Sequence, residues 1–84
     1  MRERRCRHDI YASILAYIES VGEARVTEIA RFSNLPVDRA KRYLREMAEL
    51  GLIREYTNGK NTYTVTRRGF EYAALYKRIK ALVG

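Results

Sequence analysis

Eighty-four residues allow one small domain, which buries a limited share of its surface and gains from oligomerisation. Seventeen Lys and Arg against ten Asp and Glu leave a formal charge of +7 and a pI near 9.9, which favours a polyanionic partner, nucleic acid ahead of an anionic membrane. A single cysteine, Cys6, excludes an internal disulfide framework and points to a cytoplasmic protein; no apolar run approaches the roughly 20 residues of a membrane span, and MRERRCRHD lacks the apolar core of a secretory signal.

Arg2, Arg4, Arg5 and Arg7 make a basic leader broken by Glu3, read either as the start of the first helix or as an arm along a phosphate backbone. His8 is the only histidine. With no Cys or His cluster beside it there is no metal-ligand spacing, and no nucleophile and base can be paired. No metal, cofactor or catalytic residue is therefore assigned, and an enzyme is not expected. The first helix is predicted over about Asp9 to Ser20. Ile10, Ile14, Ile18 and Val21 mark one face and Tyr11, Leu15 and Tyr17 widen it; Gly22 ends it.

Arg25 and Val26 read as a short extended piece. Thr27 follows as an N-cap, with Glu28 in the first turn where the helix dipole favours a negative charge. A short second helix runs from Glu28 to Phe32 or Ser33, with Ile29, Ala30 and Phe32 as its apolar set. Ser33-Asn34-Leu35 is a tight turn into a third, longer helix over Pro36 to Leu50. Along that helix Val37, Ala40, Tyr43, Leu44, Met47 and Leu50 recur at steps of three and four. Asp38, Lys41, Arg42, Arg45 and Glu49 fall on the other side with Arg39 on the flank. Pro36 suits the start and Gly51 the stop. Two helices joined by a three-residue turn, the second basic and outward-facing, form a helix-turn-helix.

After Gly51 the period changes. Leu52 to Thr57 and Thr62 to Thr66 are rich in β-branched and aromatic residues and flank Asn58-Gly59-Lys60-Asn61, a hairpin signal. The expectation is a two-stranded hairpin that leans on the helices through Ile53, Tyr63 and Val65, with Thr62, Thr64 and Thr66 outward. The last helix is predicted over Arg67 to Val83, with Thr66 as N-cap and two apolar sides. Phe70, Ala73, Ala74 and Ala81 form a narrow one, expected to pack inside the monomer. Tyr72, Leu75, Tyr76, Ile79, Leu82 and Val83 form the other, at the spacing of a coiled-coil seam.

The expected fold class is mostly α with a small β-hairpin (α+β): a winged helix-turn-helix over residues 1–66, with residues 67–84 as an attached dimerisation helix in one compact unit. A helix of this kind fits the major groove, where Arg and Lys reach guanine edges or flanking phosphates. The candidate DNA-contacting residues are Thr27, Asp38, Arg39, Lys41, Arg42 and Arg45, with Asn58, Lys60 and Asn61 at the wing tip and Arg4 and Arg5 in the leader. Arg42, opposite the apolar stripe, should point deepest.

Asn34-Leu35, Lys41-Arg42-Tyr43-Leu44, Gly51-Leu52-Ile53 and Tyr63-Thr64-Val65-Thr66-Arg67-Arg68-Gly69 together resemble the small archaeal winged-helix DNA-binding proteins, near this chain's own 9.9 kDa, that dimerise through a C-terminal helix. The resemblance spans nearly the whole chain. It implies a homodimer whose last helices pair as an antiparallel coiled coil, double-stranded DNA as partner and a nucleoid location, as a transcription regulator or a chromosome-coating protein. No membrane partner is expected from the apolar runs, and no small-molecule ligand is evident in the sequence. The chain departs from that pattern in a final helix of only about four turns, and in Pro36 where the family tends to carry a capping side chain. The alternative function is a winged helix used for protein contacts in a larger assembly.

Overall fold

In the computed structural model, which describes residues 6–57 and 59–83, the chain runs α1 (Arg7–Val21), β1 (Ala24–Arg25), α2 (Val26–Ser33), α3 (Val37–Glu49), β2 (Ile53–Tyr56), β3 (Thr62–Val65) and α4 (Arg67–Val83). The leader arginines Arg4 and Arg5 and the wing residue Asn58 lie outside the described residues.

The breaks between elements follow from local chemistry. Gly22 takes φ 87° and donates its N–H to the Ile18 carbonyl at 2.7 Å, closing α1. Asn34 is left-handed at φ 59°, and the next residue, Leu35, donates to the Ala30 carbonyl. At the end of α3, Gly51 at φ 81° lets its own N–H reach Ala48 and that of Leu52 reach Met47, a paired closure that also buries Leu52 beside Met47.

Two expectations about helix starts change. Thr27 is not a cap. α2 begins one residue before it, Arg25 stands at the cap position in extended conformation, and the Glu28 carboxylate accepts the Arg25 N–H at 2.9 Å. The reason is tertiary: Ala24 and Arg25 pair antiparallel with Tyr63 and Thr62, which holds Arg25 extended up to the helix start. The sheet is accordingly three-stranded, in the order β1-β3-β2, rather than a lone hairpin. Pro36 sits at the cap of α3, just outside the first helical residue.

β2 and β3 pair with Ile53 opposite Val65, Arg54 opposite Thr64, Glu55 opposite Tyr63 and Tyr56 opposite Thr62. Side chains alternate across a strand. Ile53, Tyr63 and Val65 therefore turn to the helices, while Thr62 and Thr64 turn away. Thr66 does not follow them outward: its hydroxyl donates to the Gly51 carbonyl at 2.5 Å and accepts the Gly69 N–H at 3.1 Å, which caps α4.

The core is built around α1. Ile14, Leu15 and Ile18 are fully buried against Ile29, Leu44, Met47, Leu52 and Ile53. Tyr11 crosses to α3, its hydroxyl donating to Glu46 Oε1 at 2.8 Å and its ring edge-on to Tyr43. Phe32, expected in the apolar set of α2, is more than half exposed and stacks on Tyr17 at 4.6 Å. Val37 and Leu50, at the ends of α3, are also exposed, so the packed stripe of that helix narrows to Ala40, Leu44 and Met47.

The rotation of α4 differs from expectation. Gly69, not Phe70, is the buried residue of its first turns, and Tyr72, Ala73 and Tyr76 face α1 while Phe70 and Ala74 are exposed. A Cβ at position 69 would fall inside the van der Waals envelope of the Leu52 carbonyl oxygen and 2.8 Å from Val65 Cγ1. Absence of a side chain there lets α4 sit directly on the start of β2, and the adjoining Phe70 is carried about 100° round the helix into solvent.

Candidate nucleic-acid interface

α3 carries four cations against three carboxylates, so its basic character depends on which face each occupies. Leu44 and Met47 anchor the inner side, which turns Asp38, Arg39, Lys41, Arg42 and Arg45 into solvent. Arg42 lies opposite the buried stripe of Ala40, Leu44 and Met47. Glu46 is drawn inward by the Tyr11 hydroxyl and reaches Arg7 Nε at 4.0 Å, which removes one carboxylate from the outer face. The ion pairs among the described residues are Arg7–Glu46 and Arg67–Glu71, so the α3 guanidiniums and Lys41 are free for a ligand.

Between α3 and the sheet lies an open cleft of 420 Å³ lined by Lys41, Arg45, Glu49, Glu55, Asn61 and Tyr63 among others. Lys41, Arg45 and Asn61 are thus brought to one place, from a helix and the far end of the wing. Two carboxylates share that cleft, and Glu55 also accepts the Tyr63 hydroxyl at 3.3 Å. Burial, then the Glu55 charge, pushes the Tyr63 phenol above its usual range. Tyr11 is pushed up to about 12, by burial first and by its bond to Glu46 second. Both tyrosines therefore stay neutral donors: Tyr11 holds Glu46 back from the outer face of α3, whereas the carboxylate bonded by Tyr63, Glu55, remains exposed in the cleft.

Lys60 is separated from α3. It lines the other side of the sheet with Arg25, Tyr56, Thr62, Thr64, Glu23 and Glu28. Thr62 donates to Glu23 there. Arg25 did not stand out in the sequence as a candidate, although it lies on the strand next to the hairpin and shares this surface with Lys60. Its signal was the short extended piece expected at Arg25 and Val26, which the structure places at Ala24 and Arg25, with Val26 already in α2 and the partner strand nearly forty residues away. Thr27 is exposed in the first turn of α2.

The seam residues fall into two groups. Tyr72 and Tyr76 turn to α1, where His8 Nδ1 lies 2.6 Å from the Tyr72 hydroxyl and the Tyr76 hydroxyl donates to Asp9. That last bond pushes Tyr76 up to about 12 and, with the Cys6 thiol, holds the Asp9 carboxyl below the usual carboxylate range. Leu75, Ile79, Leu82 and Val83 stay open at 56%, 58%, 87% and 77% exposure. A groove of 450 Å³ joins the two groups, with Tyr72, Tyr76, Leu75 and Ile79 along it and His8, Asp9 and Lys80 at its edges. Among the described residues no His, Cys, Asp and Glu gather as metal ligands, and no helix is long and apolar enough to cross a membrane.

Three helices around a three-stranded sheet, with an outward basic helix beside a hairpin and a fourth helix behind, define a winged-helix protein. A model of the winged helix-turn-helix family matches residues 4–83, and the chain belongs to that family. No curated protein matches the sequence. Among solved structures the fold is similar to Sso10a-2, a DNA-binding protein from Sulfolobus solfataricus, at TM-score 0.81 and 19% identity over 94% of this chain and 81% of that one. It is similar to a MarR family transcriptional regulator from Silicibacter pomeroyi at TM-score 0.77 and 19% identity; 86% of this chain is covered, but it spans only half the length of that regulator. The Zalpha domain of PKZ from Carassius auratus, solved in complex with Z-DNA, matches at TM-score 0.67 and 12% identity over 71% of this chain and 97% of that domain.

Proposed function

We propose that the protein binds double-stranded DNA as a homodimer and acts as a transcription regulator or chromosome-coating protein, with α3 in the major groove and the wing on adjacent backbone or in the minor groove. The observation that carries this reading is the outer face of α3, where Arg39, Lys41, Arg42 and Arg45 project from a helix fastened by Leu44 and Met47, with the Glu46 carboxylate turned inward. Phosphate contacts supply most of the affinity and Arg42 the choice of base. The fold likeness to Sso10a-2 and to the Z-DNA-bound Zalpha domain supports the partner class.

The dimer rests on the open stripe of α4. Burying one large apolar side chain is worth about 1.5–3 kcal/mol, so Leu75, Ile79, Leu82 and Val83 on each of two chains outweigh the cost of association. A two-fold arrangement makes the same stripe serve both subunits. In the proposed antiparallel pairing Ile79 lies near the middle.

The test is duplex binding across a salt series. If each subunit neutralises about three to five phosphates, log K falls against log salt with a slope of roughly −5 to −9. No duplex binding at low salt overturns the reading and returns the molecule to a protein-docking role.

A further inference from the structure

The positive charge of this chain does not reside in the helix-turn-helix and wing. Residues 8–66 hold eight cations and eight carboxylates. The excess lies in residues 1–7, with four arginines and one glutamate, and in α4, with five cations and one glutamate. On α4 all five cations, Arg67, Arg68, Lys77, Arg78 and Lys80, are exposed. Glu71 pairs with Arg67 at 3.9 Å, and no carboxylate is ion-paired to the other four among the described residues. The inward side of the helix is Gly69, Tyr72, Ala73 and Tyr76. At 100° per residue Arg68 falls on the flank of Leu75, Ile79 and Leu82, Lys80 on the opposite flank, and Arg67, Lys77 and Arg78 share the outer side with Phe70, Glu71, Ala74 and Ala81.

We propose that α4 is a second phosphate-binding surface for duplex DNA, separate from the face made by α3 and the wing. This deepens the DNA reading above and rests on it. Charge complementarity selects the occupant: a polyanion is what an outer side carrying Arg67, Lys77 and Arg78 against the single carboxylate of Glu71 fits. Arg67 and Arg78 share that outer side eleven residues apart, about 16 Å along the helix axis, which is about five base pairs of duplex. Ala74 and Ala81, both exposed, flank Lys77 and Arg78 on the helix surface, and their small side chains leave room for a sugar-phosphate strand to approach. α4 begins beside Gly51, beyond the C-terminal end of α3, and runs along α1, and no α4 residue lines the cleft between α3 and the hairpin. The two surfaces are thus distinct, and both are sequence-independent in their phosphate contacts.

The experiment compares full-length chains by duplex-binding anisotropy across salt. The Lys77→Gln/Arg78→Gln/Lys80→Gln variant should lose at least about 2 from the magnitude of the slope, close to one for each phosphate no longer neutralised. The charge-conserving Lys77→Arg/Arg78→Lys/Lys80→Arg variant should restore it. An unchanged slope overturns the proposal, as does a fall that the charge-conserving variant fails to restore. The α3 variant Arg39→Ala/Arg42→Ala/Arg45→Ala should keep residual duplex binding that disappears when the α4 substitutions are added. If the α3 variant alone abolishes binding, the α4 surface is wrong and the main reading stands. If the parent binds no duplex, the main reading falls. Binding of the parent to vesicles of equal phosphatidylglycerol and phosphatidylcholine that depends on the α4 cations, with no α4 effect on the duplex slope, would assign the surface to lipid and overturn the proposal.

Discussion

α3 and α4 are both amphipathic and both basic, yet the molecule treats them differently. The middle of the apolar stripe of α3 is used up, Ala40, Leu44 and Met47 having no exposed surface, while Val37 and Leu50 at its ends stay open. The stripe of α4 is divided, with Tyr72, Ala73 and Tyr76 against α1 and Leu75, Ile79, Leu82 and Val83 left in water. In α3 the carboxylates are partly drawn inward, so a helix of small net charge presents a cationic face. In α4 the cations are in excess and exposed, at its first two residues and again from Lys77 to Lys80. An apolar stripe marks a face that must be covered; it does not say whether the same chain or a second one covers it.

The comparison is broken most severely in α3. Leu44→Ala or Met47→Ala should cost about 2–5 kcal/mol in urea unfolding, because each leaves a cavity in a fully packed site. The matching change on α4, Leu82→Ala, should alter monomer stability by under about 0.5 kcal/mol. A loss as large as that of α3 would mean that α4 is covered within the chain. Ile79→Asp places an unpaired charge in the proposed seam. Sedimentation equilibrium should then find a folded monomer where the parent is a dimer; a parent that sediments as a monomer at micromolar concentration sinks the seam.

Gly69→Ala probes the close approach that sets the rotation of α4. The added methyl meets the Leu52 carbonyl and should cost about 1–3 kcal/mol, read as a lowered melting temperature. On the proposed DNA face, Arg42→Ala should cost a similar 1–3 kcal/mol in binding and relax choice at one base, while Lys60→Ala weakens all sequences alike. Equal losses on every sequence for both would remove base readout and favour the chromosome-coating role. Thr66→Ala removes the cap of α4 and its bond to Gly51, worth about 1 kcal/mol in unfolding.

The smallest effect is titration. Tyr11 has its folded-state value raised to about 12 from an ordinary 10.0. Its contribution is therefore complete below about pH 10 and is lost as pH rises through 12. Tyr11→Phe should flatten the alkaline limb of a stability–pH curve. At the other end, the Asp9 carboxyl is depressed by Tyr76 and Cys6, so the tie between α1 and α4 is present above the usual carboxylate range and weakens as pH falls through the lowered value. Tyr76→Phe should reduce that acid dependence, leaving the part due to Cys6.

Local pattern was enough for the winged-helix order, for α4 over Arg67–Val83, for Gly22 and Gly51 as helix stops and for Thr66 as a cap. These depend on spacing and on backbone freedom within a few residues. It was also enough to place Arg42 opposite the apolar stripe of α3. Long-range packing decided the rest. β1 is a strand only because β3 lies beside it, and that pairing moved the start of α2 ahead of Thr27. Glu46 reads as one more carboxylate on a helix until Tyr11, thirty-five residues earlier, takes it inward. Phe70 reads as core because it is large and apolar, whereas the residue that packs is Gly69. Hydrophobicity reports what a side chain favours, but the distance between two backbones decides which position can be buried, and only the assembled fold sets that distance.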